Sequence, residues 1–138
     1  MREKPVGAEE RVTIRTDADI VQARQRAREL ATGLGFSSTD LVLITTAISE
    51  LARNILLYAR NGEIVAPTIQ NGEKNGVLLV ASDKGPGIPN IEQAMQAGYS
   101  TSGNLGLGLP GVRRLMDDME IESRVGEGTK VTARKWKR

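Results

Sequence analysis

The sequence has 138 residues with 39% hydrophobic and 26% charged side chains, a composition typical of one soluble domain with a buried core. It contains no cysteine and no histidine, which excludes disulfides, thiolate chemistry and any catalytic, metal-binding or phosphoryl-carrying imidazole. A net charge of +2 and an aromatic content of 3% argue against a nucleic-acid surface, although basic side chains cluster between Lys130 and Arg138.

The first half of the chain predicts one strand and two helices. Residues 1–8 have no regular pattern, so we expect a loose tail before a single domain over residues 9–138. Alternating side chains over residues 11–16 predict a half-buried strand. Residues 20–34 have an amphipathic helical period, and residues 41–60 predict a strongly apolar helix that is packed on more than one side.

The second half changes to the period of strands. Residues 63–70 and 76–83 predict two strands joined by a turn with two Asn-Gly pairs. Pro67 indicates an edge strand or a bulge, whereas the continuous apolar run of the next strand indicates a central position. Residues 84–105 form a long segment without a clear period, apart from a possible short helix at 91–96, and such loops are usually functional.

A helix after Pro110 and strands over residues 120–125 and 129–136 complete the order β-α-α-β-β-loop-α-β-β. Paired strands in this order favour a mostly antiparallel or mixed sheet. The sequence therefore predicts an α+β fold, a two-layer α/β sandwich with helices on one face of the sheet.

Two polar side chains lie four residues apart within the apolar second helix. Glu50 and Asn54 would therefore share one face of that helix. A buried asparagine needs partners, and its amide oxygen is a ligand that Mg²⁺ accepts. Taken alone, however, the pair is more typical of a surface glutamate and a hydrogen-bonded core asparagine.

An acidic residue ends the predicted central strand and is followed by two glycines, in the order Asp83-Lys84-Gly85-Pro86-Gly87-Ile88. A carboxylate in this place would point into a cleft and could accept a hydrogen bond from an exocyclic amine. The same residues are also good turn formers. The two interpretations are evenly balanced on this stretch alone.

A glycine-rich turn runs into the helix that follows Pro110. Gly106 and Gly108 would let backbone N–H groups approach a ligand, and the positive end of the helix would favour an anion. A plain turn is the more common use of such a stretch. Ser100 and Thr101, just before it, are individually typical of loops.

These groups follow the order found in the GHKL ATP-binding family, which includes histidine kinases, type II topoisomerases, chaperones and anti-sigma-factor serine kinases. The resemblance covers nearly the whole chain and implies a Bergerat-type ATP-binding fold. It rests on Glu50 with Asn54, Asp83-x-Gly85-x-Gly87, Gly106-x-Gly108 and Gly128-Thr129.

The resemblance implies a role for each matched residue. Asn54 would hold the Mg²⁺ that bridges the phosphates, and Glu50, one helical turn away, would be the general base. Asp83 would bind the adenine amine, Gly87 would lie against the base, and Thr129 would support the pocket through water. An ATP lid at about residues 84–105 is implied, and the remaining ATP contacts would come from Gly85, Ile88, Ser100, Thr101, Gly106, Leu107 and Gly108.

Within this family the chain fits the compact serine kinases. Other members use further domains that we expect this chain to lack, and histidine kinases need a phosphoacceptor histidine. Residues 48–54 and 98–116 resemble, more closely, the stressosome switch kinases of bacterial stress responses. These phosphorylate STAS-domain proteins and then bind a metal-dependent phosphatase. Asn104 replaces a glycine that relatives often carry, which predicts a stiffer lid.

Two functions remain open. The first is a Mg-ATP-dependent kinase acting on a STAS-domain partner. The second is a binding module, either an ATP-dependent anti-sigma factor or a switch that activates a phosphatase by direct contact. No apolar run approaches the roughly 20 residues that span a bilayer, and the start of the chain lacks a secretion signal. We therefore expect a cytoplasmic protein without membrane or nucleic-acid partners. The sequence leaves dimerisation undecided.

Overall fold

The structure is a computed structural model that describes residues 4–95 and 108–137. Its centre is a sheet of five strands in the spatial order β1-β2-β3-β5-β4, in which all neighbouring strands are antiparallel. The apolar strand β3 is central, as predicted. The strands are β1 (Lys4–Ile14), β2 (Gly62–Asn71), β3 (Lys74–Asp83), β4 (Asp118–Arg124) and β5 (Gly128–Trp136).

The described part of the chain also contains α1 (Asp17–Leu34), α2 (Ser38–Tyr58), α3 (Ile91–Ala94) and α4 (Gly108–Leu115). Helix α2 contacts α1, α4 and the central strands. The core lies between these helices and one face of the sheet, to which alternate strand residues point. The predicted α+β sandwich is confirmed, and every predicted element except β1 begins and ends within three residues of the observed one.

Helix α2 is the centre of the core, which explains its apolar composition. Nine of its residues are buried, and Glu50 is one of them. Contrary to the expectation from sequence, its length and a mean hydropathy of 1.4 would suit a membrane span, but half of that apolar window is buried inside the domain. The central helix of a soluble protein meets the same criterion, so this is weak evidence for a membrane.

The predicted tail over residues 1–8 is wrong where the structure describes it, because β1 begins at Lys4. The far end of β2 supplies the partners for this extension, and Lys4 lies opposite Gln70. A shift in register between Pro5 and Glu9 interrupts the regular alternation of the strand. The alternating pattern typical of a strand can therefore be recognised in the sequence only after this shift.

The position of Pro67 differs from the prediction. Pro67 pairs with Glu9, where the register shift of β1 ends, but the shift lies in β1 and not in the strand that carries the proline. Strand β2 is second from the edge rather than an edge strand. Helix α2 ends at Tyr58, and Arg60 takes the left-handed conformation with φ of 71°. Gly62 begins β2, where a Cβ atom would collide with the carbonyl oxygen of Ser82.

A carboxylate at the start of α1 makes stability depend on pH. Asp19 Oδ2 accepts hydrogen bonds from the backbone N–H groups of Arg15 (2.8 Å) and Thr16 (3.0 Å). These bonds lower the pKa of Asp19 below its ordinary value of 3.8. The resulting stabilisation is complete above that value and is lost as the pH falls through the lower pKa of the folded state.

We expect Asp19→Asn to unfold at a lower urea concentration than the parent at pH 7, because the amide cannot replace the charged acceptor. The difference should shrink as the pH falls below about 4. Urea titrations of both proteins across this range provide the measurement. A difference that stays constant with pH would contradict the assignment.

Candidate active site

A cavity of about 320 Å³ opens at the end of the sheet where β3 finishes and β5 begins. The second half of α2 forms one wall, residues 86–94 form another, and the start of α4 closes one side. Its apolar floor and sides come from Leu51, Ile55, Ala81, Ile88, Leu109 and Val131. Such a volume and lining are typical of small-molecule sites.

Glu50 and Asn54 both line this cavity from α2. Glu50 is only 7% exposed, and each of its carboxylate oxygens has a partner. Oε1 accepts a hydrogen bond from Arg53 Nη1 at 2.9 Å, and Oε2 accepts one from the backbone N–H of Gly108 at 3.0 Å. Asn54 is half-buried one turn further along the helix. The alternative interpretation of Glu50 as a surface glutamate is therefore wrong.

Asp83 lies at the end of β3, directly opposite Thr129, the second residue of β5. Its Oδ1 accepts a hydrogen bond from the backbone N–H of Gly85 at 2.9 Å. This bond orients the carboxylate, since a strand-ending aspartate is otherwise free to rotate. Because both residues line the cavity, a carboxylate and a hydroxyl lie side by side on its floor.

Ser123 is not among the described residues that line the cavity, but it bonds two that do, a role that was not predicted from the sequence. Its Oγ accepts a hydrogen bond from the N–H of Ile88 at 2.7 Å and shares another with Thr129 Oγ1 at 2.8 Å. It also donates to the carbonyl of Gly128 at 3.2 Å. The only signal in the sequence was a small polar residue at an inward position of β4, and that pattern is common. Through these hydrogen bonds Ser123 connects Ile88, in one wall of the cavity, with Thr129 on its floor.

Two glycines are required by close packing around the cavity. Gly87 has φ of 81°, and a Cβ atom there would collide with the carbonyl oxygen of Arg124. Gly128 has φ of 127°, and its Cβ would collide with the carbonyl oxygen of Asp83. These glycines therefore let residues 86–88 and the β4–β5 turn close onto the end of β3.

Gly87→Ala should destabilise the protein by about 3 kcal/mol, since it adds a collision with backbone to a strained conformation. Gly126→Ala is a matched control, because its φ of 82° is nearly the same but no atom lies within 4 Å of the added Cβ. The control should lose only about 1 kcal/mol, the cost of the backbone conformation. Thermal unfolding of both variants measures the difference, and equal losses would show that the collision is relieved.

Seven of the twelve residues predicted for the site meet at this cavity: Glu50, Asn54, Asp83, Gly87, Ile88, Gly108 and Thr129. Gly85 lies behind Asp83 and holds its carboxylate. The predicted lid is described only as far as residue 95. Ser100, Thr101, Gly106 and Leu107, together with Asn104, lie outside the described residues.

Other lining residues carried no signal of their own in the sequence. Leu57 and Tyr58, at the end of α2, are about half exposed at the cavity. On the opposite wall Asn90 caps α3, its Oδ1 accepting a hydrogen bond from the N–H of Gln93 at 3.0 Å. Apolar side chains at helix ends and polar helix caps occur throughout proteins, so their presence in the sequence does not indicate a binding site.

The donor set suits a magnesium nucleotide better than a protein-held metal ion. No group of three or more acidic side chains able to hold a metal occurs in residues 4–95 and 108–137. Asn54 nevertheless lines the cavity, and its side chain carries one hard amide oxygen. Mg²⁺ commonly takes one or two protein ligands and completes its shell with phosphate and water oxygens. The residues present therefore fit Mg²⁺ bound together with phosphates.

Sequence comparison identifies the family. The histidine kinase-like ATPase domain matches residues 14–135. The serine/threonine-protein kinase RsbT of Bacillus subtilis (strain 168) is 54% identical over 127 residues, which cover 92% of this chain and 96% of that protein. An anti-sigma F factor of Caldanaerobacter subterraneus subsp. tengcongensis is 30% identical over 118 residues, which cover 83% of this chain and 82% of that protein.

Two solved structures share the fold. The RsbU and RsbW domains of a Mycobacterium tuberculosis protein align with a TM-score of 0.66 at 21% identity, over 96% of this chain and 33% of that one. The SiaB–SiaC complex of Pseudomonas aeruginosa aligns with a TM-score of 0.59 at 10% identity, over 94% of this chain and 89% of the other. The chain therefore belongs to the family of histidine kinase-like ATPase domains.

Proposed function

We propose that this chain is a Mg-ATP-dependent protein-serine/threonine kinase that phosphorylates a STAS-domain partner in bacterial partner-switching signalling. One observation carries the proposal: a buried carboxylate, an amide, a second carboxylate and a helix start from distant parts of the chain meet at one cavity. The identity of 54% to a serine/threonine-protein kinase supports the same activity.

In this proposal the floor of the cavity recognises adenine. Asp83 Oδ1 is occupied by the N–H of Gly85, so Oδ2 accepts a hydrogen bond from the adenine amine. Thr129, held by Ser123, supports the same edge of the base through water. Gly87 and Ile88 cover the base from the opposite wall.

The phosphates of the nucleotide would lie toward Asn54 and the start of α4, which line the other end of the cavity. Asn54 would hold Mg²⁺, which neutralises charge on the phosphates during transfer. The predicted contacts from Ser100, Thr101, Gly106 and Leu107 would complete this end of the site. The backbone N–H of Gly108 lies at its edge, where it now contacts Glu50.

Glu50 is the proposed general base. As the partner's hydroxyl oxygen bonds to the γ-phosphorus, the bond from that phosphorus to the oxygen shared with the β-phosphate breaks, and ADP leaves. The hydroxyl proton passes to the Glu50 carboxylate. The N–H groups around Glu50 keep this carboxylate at the end of the cavity where the γ-phosphate would lie.

The partner assignment extends the same proposal. Stressosome switch kinases, which this sequence resembles, are captured by STAS-domain substrates and released to bind a metal-dependent phosphatase. We place this chain in such a cytoplasmic pathway. A second function is supported by the anti-sigma F factors at 30% identity and above, namely ATP-dependent binding of a sigma factor without phosphorylation as the main output.

The two functions are separated by incubation with γ-labelled ATP, Mg²⁺ and a STAS-domain protein. Label on a serine or threonine of the partner supports the kinase. Nucleotide-dependent binding to a sigma factor, without label on any partner, supports the binding module. Binding and transfer should be measured on the same preparation, so that an inactive sample is recognised by its failure to bind ATP.

A further inference from the structure

We infer that Arg53 is a positioning residue that holds the Glu50 carboxylate in the orientation needed for phosphoryl transfer. This inference rests on the proposed kinase function and names a residue that the motifs of the site do not include. Arg53 lies three residues after Glu50 on α2, so the two side chains project from adjacent turns.

Arg53 and Glu50 are in direct contact, and Glu50 is much more buried than Arg53. Arg53 Nη1 lies 2.9 Å from Glu50 Oε1, within hydrogen-bond and ion-pair distance. The Glu50 side chain is 9% exposed, whereas that of Arg53 is 42% exposed. A buried carboxylate depends on its partners because it has lost most of its water. Arg53 supplies one of these partners by donating a hydrogen bond to Glu50 Oε1.

The two oxygens of Glu50 are held from different parts of the chain. Arg53 belongs to the same helix, whereas Gly108 belongs to the start of α4. Transfer requires Glu50 to accept a proton from the partner's hydroxyl, and the approach of phosphates to α4 would compete for the Gly108 N–H. The hydrogen bond from Arg53 does not depend on α4. It therefore holds the Glu50 carboxylate in place when the Gly108 N–H is drawn to a phosphate.

The position of Arg53 argues against a direct contact with ATP. Glu50, Asn54 and Gly108 line the cavity, but Arg53 is not among the described residues that line it. Removal of Arg53 should therefore leave the nucleotide contacts intact and broaden the rotamers of Glu50. Small errors in the position of a catalytic group reduce the rate of the chemical step rather than the affinity for substrate.

Single-turnover transfer from γ-labelled ATP to a STAS-domain protein tests the inference. Arg53→Met should lower the transfer rate between about 10-fold and 100-fold, with the KM for ATP changed less than about twofold. Arg53→Lys, which keeps a cation at the same place, should recover part of the loss. Arg11→Met is the matched control, since it removes an equally close pair, with Glu63 at 2.8 Å, from a strand outside the cavity.

A double-mutant cycle decides whether Arg53 acts through Glu50. In the Glu50→Gln background, Arg53→Met should cause little further loss, because the carboxylate that it positions is already gone. An undiminished loss in that background, a raised KM or an Arg53→Met rate equal to the parent's would each overturn the inference. Absence of transfer by the parent would instead refute the proposed function and, with it, the role of Arg53.

Discussion

Asp83→Asn is expected to weaken ATP binding about 100-fold, because a hydrogen bond to a charged acceptor contributes roughly 1.5–3 kcal/mol. The asparagine has one oxygen where the aspartate has two. If that oxygen accepts from the N–H of Gly85, as Asp83 Oδ1 does at 2.9 Å, the NH₂ group faces the adenine amine. If the amide is rotated, the Gly85 bond is lost instead.

Calorimetric titration with ATP and Mg²⁺ measures this effect. Asp118→Asn is the control, since Asp118 is an exposed strand residue that pairs with Arg134 at 2.8 Å and does not line the cavity. The control should bind ATP with the parent's affinity. Unchanged affinity in Asp83→Asn would remove Asp83 from the adenine site.

Glu50→Gln is expected to retain ATP binding and lose about a thousandfold in transfer rate, within the range attributed to general base catalysis. Glutamine fills the same volume but accepts no proton at neutral pH. It also has one acceptor oxygen for two N–H donors, so either the Arg53 or the Gly108 contact is lost. We expect a loss of stability of about 1–2 kcal/mol from this change.

Transfer to a partner serine and ATP affinity should be measured separately, together with thermal unfolding. Glu73→Gln, in the exposed turn between β2 and β3, keeps the same change of charge away from the cavity and should behave as the parent. Equal transfer by Glu50→Gln and the parent would exclude Glu50 as the base. Loss of ATP binding together with transfer would assign it to the nucleotide site instead.

The order of elements was predictable because local patterns dominate in this chain. Helix α2 carries an almost continuous apolar period and a cap in which Ser37 Oγ accepts the N–H of Asp40 at 3.1 Å. The turn between β2 and β3 carries Asn-Gly pairs, and the apolar run of β3 indicated a central strand. These signals depend on neighbours in sequence.

The errors arose where distant chain segments decide the structure. The extension of β1 to Lys4 depends on the far end of β2, which no local pattern reveals. Arg60 takes a left-handed conformation that sequence assigns to glycine or asparagine. Gly62 lies at the start of β2, where the absence of a side chain allows the close approach of the Ser82 carbonyl.

In the candidate site, too, the sequence predicted which residues take part but not the long-range contacts that hold them. Motif order grouped Glu50, Asn54, Asp83 and Thr129, and the structure places them around one cavity. The bonds that hold the carboxylates and the hydroxyl in place were not predictable, since the partner of Glu50 Oε2 lies 58 residues away. Ser123 likewise joins Ile88 across 35 residues of chain.

Mapping of backbone amide signals by NMR during titration with a non-hydrolysable ATP analogue and Mg²⁺ tests most directly whether this cavity is the ATP site. We expect the largest shifts at Asp83, Gly87, Ile88 and Thr129, which surround the proposed adenine position. Shifts at the β2–β3 turn, at the opposite end of the sheet, should be small. Shifts concentrated at that turn, or no shifts at saturating analogue, would contradict the assignment of the cavity as the ATP site.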